Sequence, residues 1–345
     1  MATPNTITAY DTPQPGQPVR PPGLGMIGKM RWGVKHPPAD PAISFAGKTV
    51  LAVGSNTGLG FEAAVKYSAL GASKLILGVR TAEKGNDTKA RILAITKRSP
   101  DSISYLTVDL STFASVVAFG EALEQEVSAS GLDVALLCAG VAPPSYSASE
   151  EGYELAVQVN VLSTAVMARV VLPLLKATGP KGGVPPHLTF VNSNANDLVE
   201  RAWLKGHGDS AFKMANDAKG WSGFRSYATV KLMGMVAMMD VAEKVGREEV
   251  VVNAVCPGMC KTDLGRDQPW VAKVVMAGMS PFIHRSAEEG ARSLVSATAL
   301  GVESHGRFWH NDLLYPVNDL LDDKEFVRRT LKEIMEVVDK VGGSD

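Results

Sequence analysis

Between Gly47 and Trp309 the chain alternates short apolar runs with longer segments whose apolar residues recur at helical spacing. The short runs are Thr49 to Val53, Leu75 to Val79, Ile103 to Val108, Val134 to Cys138, Leu188 to Val191 and Val250 to Val255. They are apolar on both faces, the pattern of central parallel strands covered by helices on each side. Serine at Ser111 and Ser149 predicts helix starts ahead of 112–127 and 150–172, because a serine hydroxyl satisfies a free first-turn N–H. Such βαβ rhythm predicts an α/β fold, a Rossmann-type doubly wound parallel sheet in a single domain over 45–345. Two long segments, 194–225 and 261–286, interrupt the rhythm and are read as irregular loops that shape a cleft at the carboxyl ends of the strands.

Residues 1–44 are rich in proline and glycine and predict a poorly ordered N-terminal tail, an extended arm whose apolar group Met26, Ile27, Met30 and Trp32 is available to the body or to a partner. Near the other end Val327, Leu331, Ile334, Val338 and Val341 form an apolar stripe, expected to pack on its own domain rather than to serve as a coiled-coil seam.

Composition narrows the function. With 35 basic against 36 acidic side chains the formal charge is −1, so no overall positive field exists to hold nucleic acid. Three cysteines cannot build a disulfide framework and point to a reducing, cytoplasmic setting. The six histidines include no paired ligand motif, so no metal site is expected. The richest apolar windows, 164–175 and 232–239, are broken by Arg169 or end too soon, which predicts no transmembrane segment.

Directly after the first strand comes Gly54-Ser55-Asn56-Thr57-Gly58-Leu59-Gly60, followed by an amphipathic run. Glycines there permit a sharp turn and let a pyrophosphate approach amide groups at a helix N-terminus, where the dipole favours negative charge. Twenty positions beyond Gly60, Arg80 closes the second strand where a carboxylate would suit the ribose of NAD. A guanidinium, helped by Thr81, suits the 2′-phosphate of NADP instead. Asp109 and Leu110 after the third strand are expected beside adenine, and Ala139 and Gly140 after the fourth beside a ribose.

Tyr227 and Lys231 lie four apart on one face of a helix, so an ammonium can lower the phenol's pKa and make Tyr227 a proton donor. Ser193 ends the fifth strand and can polarise a carbonyl. Asn160 lies in an otherwise apolar helix and needs partners; a water joining it to Lys231 is one arrangement, a purely structural role another. Pro257-Gly258 forces a turn after the sixth strand, and Thr262 is expected to orient a nicotinamide carboxamide.

In order and type these residues resemble the short-chain dehydrogenase/reductase family, over roughly 47–309, and within it the retinol dehydrogenase-like and fungal pathway reductases, which share Arg80, Cys256-Pro257-Gly258-Met259 and a late strand at 306–309. The resemblance implies a tetrad of Asn160, Ser193, Tyr227 and Lys231, in which Tyr227 is acid or base and Lys231 binds the nicotinamide ribose. Departures from the family pattern are Val53 and Leu137-Cys138 around the cofactor pocket, and a separation of 34 positions between residues 193 and 227. The insertion carries Trp203, Phe212, Trp221 and Phe224, fit to wall an apolar substrate or to cover the sheet edge. The implied function is NADP-dependent interconversion of a ketone or aldehyde and an alcohol on a bulky apolar small molecule, in a chain that resembles dimer-forming relatives. The alternative is a catalytically idle NADPH-binding sensor.

Overall fold

The computed structural model describes residues 6–13, 18–20, 23–261 and 283–341. Among them, seven parallel strands run β1 (Thr49–Val53), β2 (Lys74–Val79), β3 (Ile103–Thr107), β4 (Val134–Leu137), β5 (His187–Val191), β6 (Val251–Cys256) and β7 (Phe308–His310), and the short β8 (Leu313–Leu314) pairs antiparallel to β7. The sheet order is β3-β2-β1-β4-β5-β6-β7-β8, which reverses direction between β1 and β4 as a doubly wound sheet does.

Side-chain alternation along the strands feeds two cores. On one face Leu51, Val53, Ala135, Leu137, Leu188 and Phe190 meet α4 (Phe113–Val127), the helical run α5 (Leu155–Thr178) and α8 (Gly223–Glu243). On the other, Val50, Ala52, Leu75, Leu77, Val134 and Leu136 meet α2 (Gly58–Ala69), α3 (Ala82–Thr96) and α9 (Ala287–Ala297). The C-terminal α10 (Lys324–Val338) turns Ile334 and Val338 into the first core, so the apolar stripe packs on its own domain. By length and composition α5 meets the requirement for a membrane span, but 67% of its apolar window is buried in the protein, where it serves as a core helix.

Several expectations are corrected. The segment read as a poorly ordered tail contains a helix, α1 (Met26–Lys35), and ties to the body through Ile7 N–H on Ala299 O and Leu314 N–H on Tyr10 O. Ser111 does not cap α4; its hydroxyl turns back to Asp109, and Thr112 occupies the cap position. Helix α5 starts at Leu155, where the Glu154 carboxylate accepts from Val157 N–H, not after Ser149. It also continues past Pro173 to Thr178, because burial of Val171 and Leu175 outweighs the hydrogen bond that proline removes. The 194–225 segment is not irregular: it folds into a 3₁₀ turn (Asn194–Leu198), α6 (Arg201–Leu204), α7 (Ala211–Asn216) and the start of α8. Most of the second long segment lies outside the described residues, as does Thr262.

Candidate active site

The glycine-rich turn is tight because it must be. Gly54 has φ +85°, and a Cβ there would sit 2.6 Å from Ala139 Cα; a Cβ on Gly60 would sit 2.1 Å from the Gly54 carbonyl oxygen. Gly58 opens α2 with φ +55°. Thr57 at the cap makes no side-chain hydrogen bond to the helix, and the first turn carries no acid, so α2 presents free N–H groups to an anion. Ser55 Oγ is buried in this turn without a described partner. A cradle that any Cβ would fill, free amides and a spare hydroxyl together fit a dinucleotide pyrophosphate.

Around it, Arg80 is exposed at the end of β2 and makes no ion pair among the described residues. Thr81, by contrast, spends its hydroxyl capping α3, accepting from Lys84 N–H at 3.3 Å. Asp109 accepts from both the N–H and the hydroxyl of Ser111, at 2.9 and 2.8 Å, which fixes the loop after β3. Leu110 is only 7% exposed and belongs to the core, so its side chain packs inward. Ala139 and Gly140 lie beside Gly54 and Asn160, respectively.

Asn160 sits in a π turn, Gln158–Leu162, of α5. Its amide is used twice on one partner: Oδ1 accepts from Val141 N–H and Nδ2 donates to Val141 O, both at 2.8 Å. The amide therefore clamps the loop that follows Gly140, whereas Lys231 Nζ donates to Val191 O at 3.2 Å. Each side chain is thus anchored on a different stretch of backbone, Asn160 on Val141 and Lys231 on Val191.

Ser193 begins the 3₁₀ turn after β5, and its Oγ accepts from Ala195 N–H at 3.2 Å. The insertion folds away from it, held by Ser210 on Glu333 at 2.8 Å and by Asn318 on the carbonyls of Asn196 and Val199 at 2.9 and 3.0 Å. Lys231 Nζ stands 5.8 Å from the centre of the Tyr227 ring. Burial pushes the Tyr227 phenol up to about 12, opposed by its hydrogen bond with Ser193. The expectation of a lowered phenol pKa is thus corrected: loss of solvent outweighs the groups that favour the phenolate. Lys231 responds in kind, brought down to about 8 by burial.

Asn192 escapes a reading of the sequence, although a polar pair at a strand end, Asn192-Ser193, is the available signal. It is 4% exposed and joins both halves of the site. Its Oδ1 accepts from Ser193 N–H at 2.7 Å, and its Nδ2 donates to Lys231 O at 3.1 Å. Of the four insertion aromatics, Trp221 donates to Glu154 at 3.3 Å and Phe212 packs edge-on against Tyr153, so both secure the insertion. Trp203 packs against Phe224, which stays 57% exposed.

A glycine cradle at the first βα turn and a Ser–Tyr–Lys group at the same edge of a doubly wound sheet define an α/β oxidoreductase that works on carbonyl and alcohol groups with a nicotinamide dinucleotide. Residues 48–196 match the family model described as short chain dehydrogenase. A short-chain dehydrogenase/reductase of Aspergillus flavipes, ffsI, is 41% identical over 332 residues, covering 92% of this chain and 94% of that protein. Another of Phaeosphaeria nodorum, phmF, is 39% identical over 315 residues, covering 90% and 92%. The chain belongs to the short-chain dehydrogenase/reductase family. Its fold is also that of the L-sorbose reductase from Gluconobacter frateurii solved with NADPH and L-sorbose, with TM-score 0.58 at 18% identity over 77% of this chain and 95% of that one. Carbonyl reductase Sniffer of D. melanogaster gives TM-score 0.56 at 20% identity over 79% and 99%.

Proposed function

We propose that the protein is an NADP(H)-dependent oxidoreductase that interconverts a ketone or aldehyde and the alcohol on a bulky apolar molecule, in the cytoplasm and in a secondary-metabolite pathway. The observation that carries this reading is the convergence of the Ser193 hydroxyl on the Tyr227 phenol, with Lys231 four residues along the same helix.

A phenol held near 12 is fully protonated at neutral pH, so Tyr227 rests in the form that a reduction needs, as proton donor to the carbonyl oxygen. Ser193 Oγ donates to that oxygen and steadies the charge that grows on it. Lys231, still mainly cationic at pH 7 with its pKa near 8, lowers the cost of the phenolate left behind and offers its amine to the cofactor ribose. Asn160 holds the loop after Gly140 that would border that ribose. When bound, the nicotinamide supplies the hydride. Gly54, Ser55, Asn56, Gly58, Leu59 and Gly60 would hold the pyrophosphate, Asp109, Leu110, Ala139 and Gly140 the adenosine side, and Pro257, Gly258 and Thr262 the nicotinamide end.

Preference for NADP rests on Arg80, an exposed guanidinium with no described acid to occupy it. Preference for an apolar substrate rests on three exposed residues in the segments next to Ser193, Tyr227 and Gly258: Leu198, Phe224 and Met259, at 38%, 57% and 38% exposure. NADPH oxidation across a panel of apolar ketones tests the reading. Turnover with NADPH, favoured over NADH and increasing with substrate apolarity, is expected. NADPH binding with no turnover on any ketone or aldehyde would favour the idle sensor.

A further inference from the structure

Arg285 is a buried guanidinium, 3% exposed, whose hydrogen bonds to described residues all end on neutral oxygens drawn from three distant parts of the chain. Nε donates to Gly33 O at 2.8 Å and Nη2 to His36 O at 3.1 Å, both at the carboxyl end of α1. Nη1 donates to Pro257 O at 3.3 Å, and Nη2 also reaches Asn311 Oδ1 at 2.5 Å in the turn after β7. The main chain of Arg285 pairs with the same region: its N–H donates to Met259 O at 2.8 Å, and its carbonyl accepts from Lys261 N–H at 2.9 Å.

Sequence explains why α1 needs this partner. The residue four beyond Gly33 is Pro37, which has no N–H to close the helical bond, so the Gly33 carbonyl is left open and Arg285 fills it. The negative end of the helix dipole also suits a cation. On the other side the fit is close: Gly258 has φ +79°, and a Cβ there would lie 2.8 Å from Arg285 Nη1. Asp312 adds a second tie, accepting from Ala39 N–H at 2.8 Å.

We propose that the N-terminal segment 26–39 is a working part of the cofactor site, with Arg285 as the positioning residue through which α1 sets the Pro257–Gly258 turn. This rests on the reading of that turn as the nicotinamide end of the site. A disturbance in α1, more than 200 positions away in sequence, then loosens the turn and weakens cofactor binding without touching the glycine cradle or Tyr227.

The test uses the full-length chain with two readouts, amide exchange and NADPH affinity measured by fluorescence well below the melting temperature. A Cβ at Gly33 would lie 3.2 Å from Arg285 Nη2, so Gly33→Val presses on the guanidinium from the α1 side. It is expected to speed exchange of the Lys261 N–H and to raise the Kd for NADPH roughly tenfold, the size of one charged hydrogen bond. Arg285→Lys, which keeps the charge but loses the fork, is expected to fall between the wild type and Arg285→Met in both readouts. Faster exchange confined to α1 with unchanged NADPH affinity overturns the proposal, even if Arg285→Met fails to fold. If the wild type itself does not bind NADPH, the reading of the site fails, and exchange at Lys261 in Gly33→Val alone decides whether the clamp is real.

Discussion

Replacing Gly60 by alanine puts the glycine cradle to a quantitative test. The new Cβ would stand 2.1 Å from the Gly54 carbonyl oxygen and 2.9 Å from its carbon, both backbone atoms that cannot swing aside. Restoring a carbon–oxygen contact of about 3.3 Å requires the turn to open by about 1.2 Å. Alanine brings a gain in helix propensity of at most ~1 kcal/mol, against an overpacking cost of ~1–3 kcal/mol that falls at the high end for a rigid neighbour. The expected net loss is about 2 kcal/mol, a fall in Tm of about 3 °C for a chain of 345 residues. Cofactor binding suffers more directly, since opening the turn withdraws at least one N–H from the pyrophosphate, worth ~1.5–3 kcal/mol or about 10- to 100-fold in affinity. Fluorescence titration with NADPH and thermal unfolding measure the two effects. Gly206→Ala, where a Cβ meets nothing within 4 Å, serves as the control and leaves both unchanged. A Gly60→Ala protein with wild-type affinity and Tm would refute the cradle.

Three other expectations follow from the same geometry. The kcat/KM for NADPH, which reports the free enzyme, is expected to fall above pH 8 as Lys231 loses its proton, and Lys231→Arg to remove that inflection at the expense of rate. The stability of the wild type relative to a Lys231→Met variant should rise between pH 8 and 10.5, because there the unfolded chain still binds the lysine proton that the folded chain has released; a difference that stays flat across that window contradicts the assignment. Arg80→Glu should lower the NADPH-to-NADH ratio of kcat/KM by about 10²-fold through lost pairing and added repulsion, as measured with the two cofactors on one ketone. Asn192→Leu should lower kcat by roughly 10- to 100-fold while the Kd for NADPH stays within threefold, since it frees Ser193 and α8 from each other but leaves the cradle intact.

The sheet is legible in the sequence because its strands are buried on both faces, so continuous apolar runs such as Thr49–Val53 state their own place. The Ser–Tyr–Lys group is legible for a related reason: a polar residue at the end of an apolar strand and two polar residues four apart on an apolar helix stand out from the packing pattern around them. Helix α1 is not legible, because ten residues flanked by prolines have little intrinsic stability and depend on a guanidinium some 250 positions later. The partner of the Asn160 amide is hidden because spacing cannot say which backbone an amide will meet; Val141 takes both of its side-chain hydrogen bonds. The direction of the Tyr227 shift is hidden because helical spacing gives the neighbour but not the burial, and burial decides.

Single-turnover reduction by the Tyr227→Phe variant, with NADPH bound and an apolar ketone that the wild type accepts, tests the central claim most directly. The phenyl ring keeps the shape of the site and removes only the proton donor. Hydride consumption, followed by loss of NADPH absorbance, is expected to slow by ~10²- to 10⁴-fold while NADPH affinity holds within a few-fold. A Tyr227→Phe protein that oxidises NADPH at the wild-type rate would contradict the account.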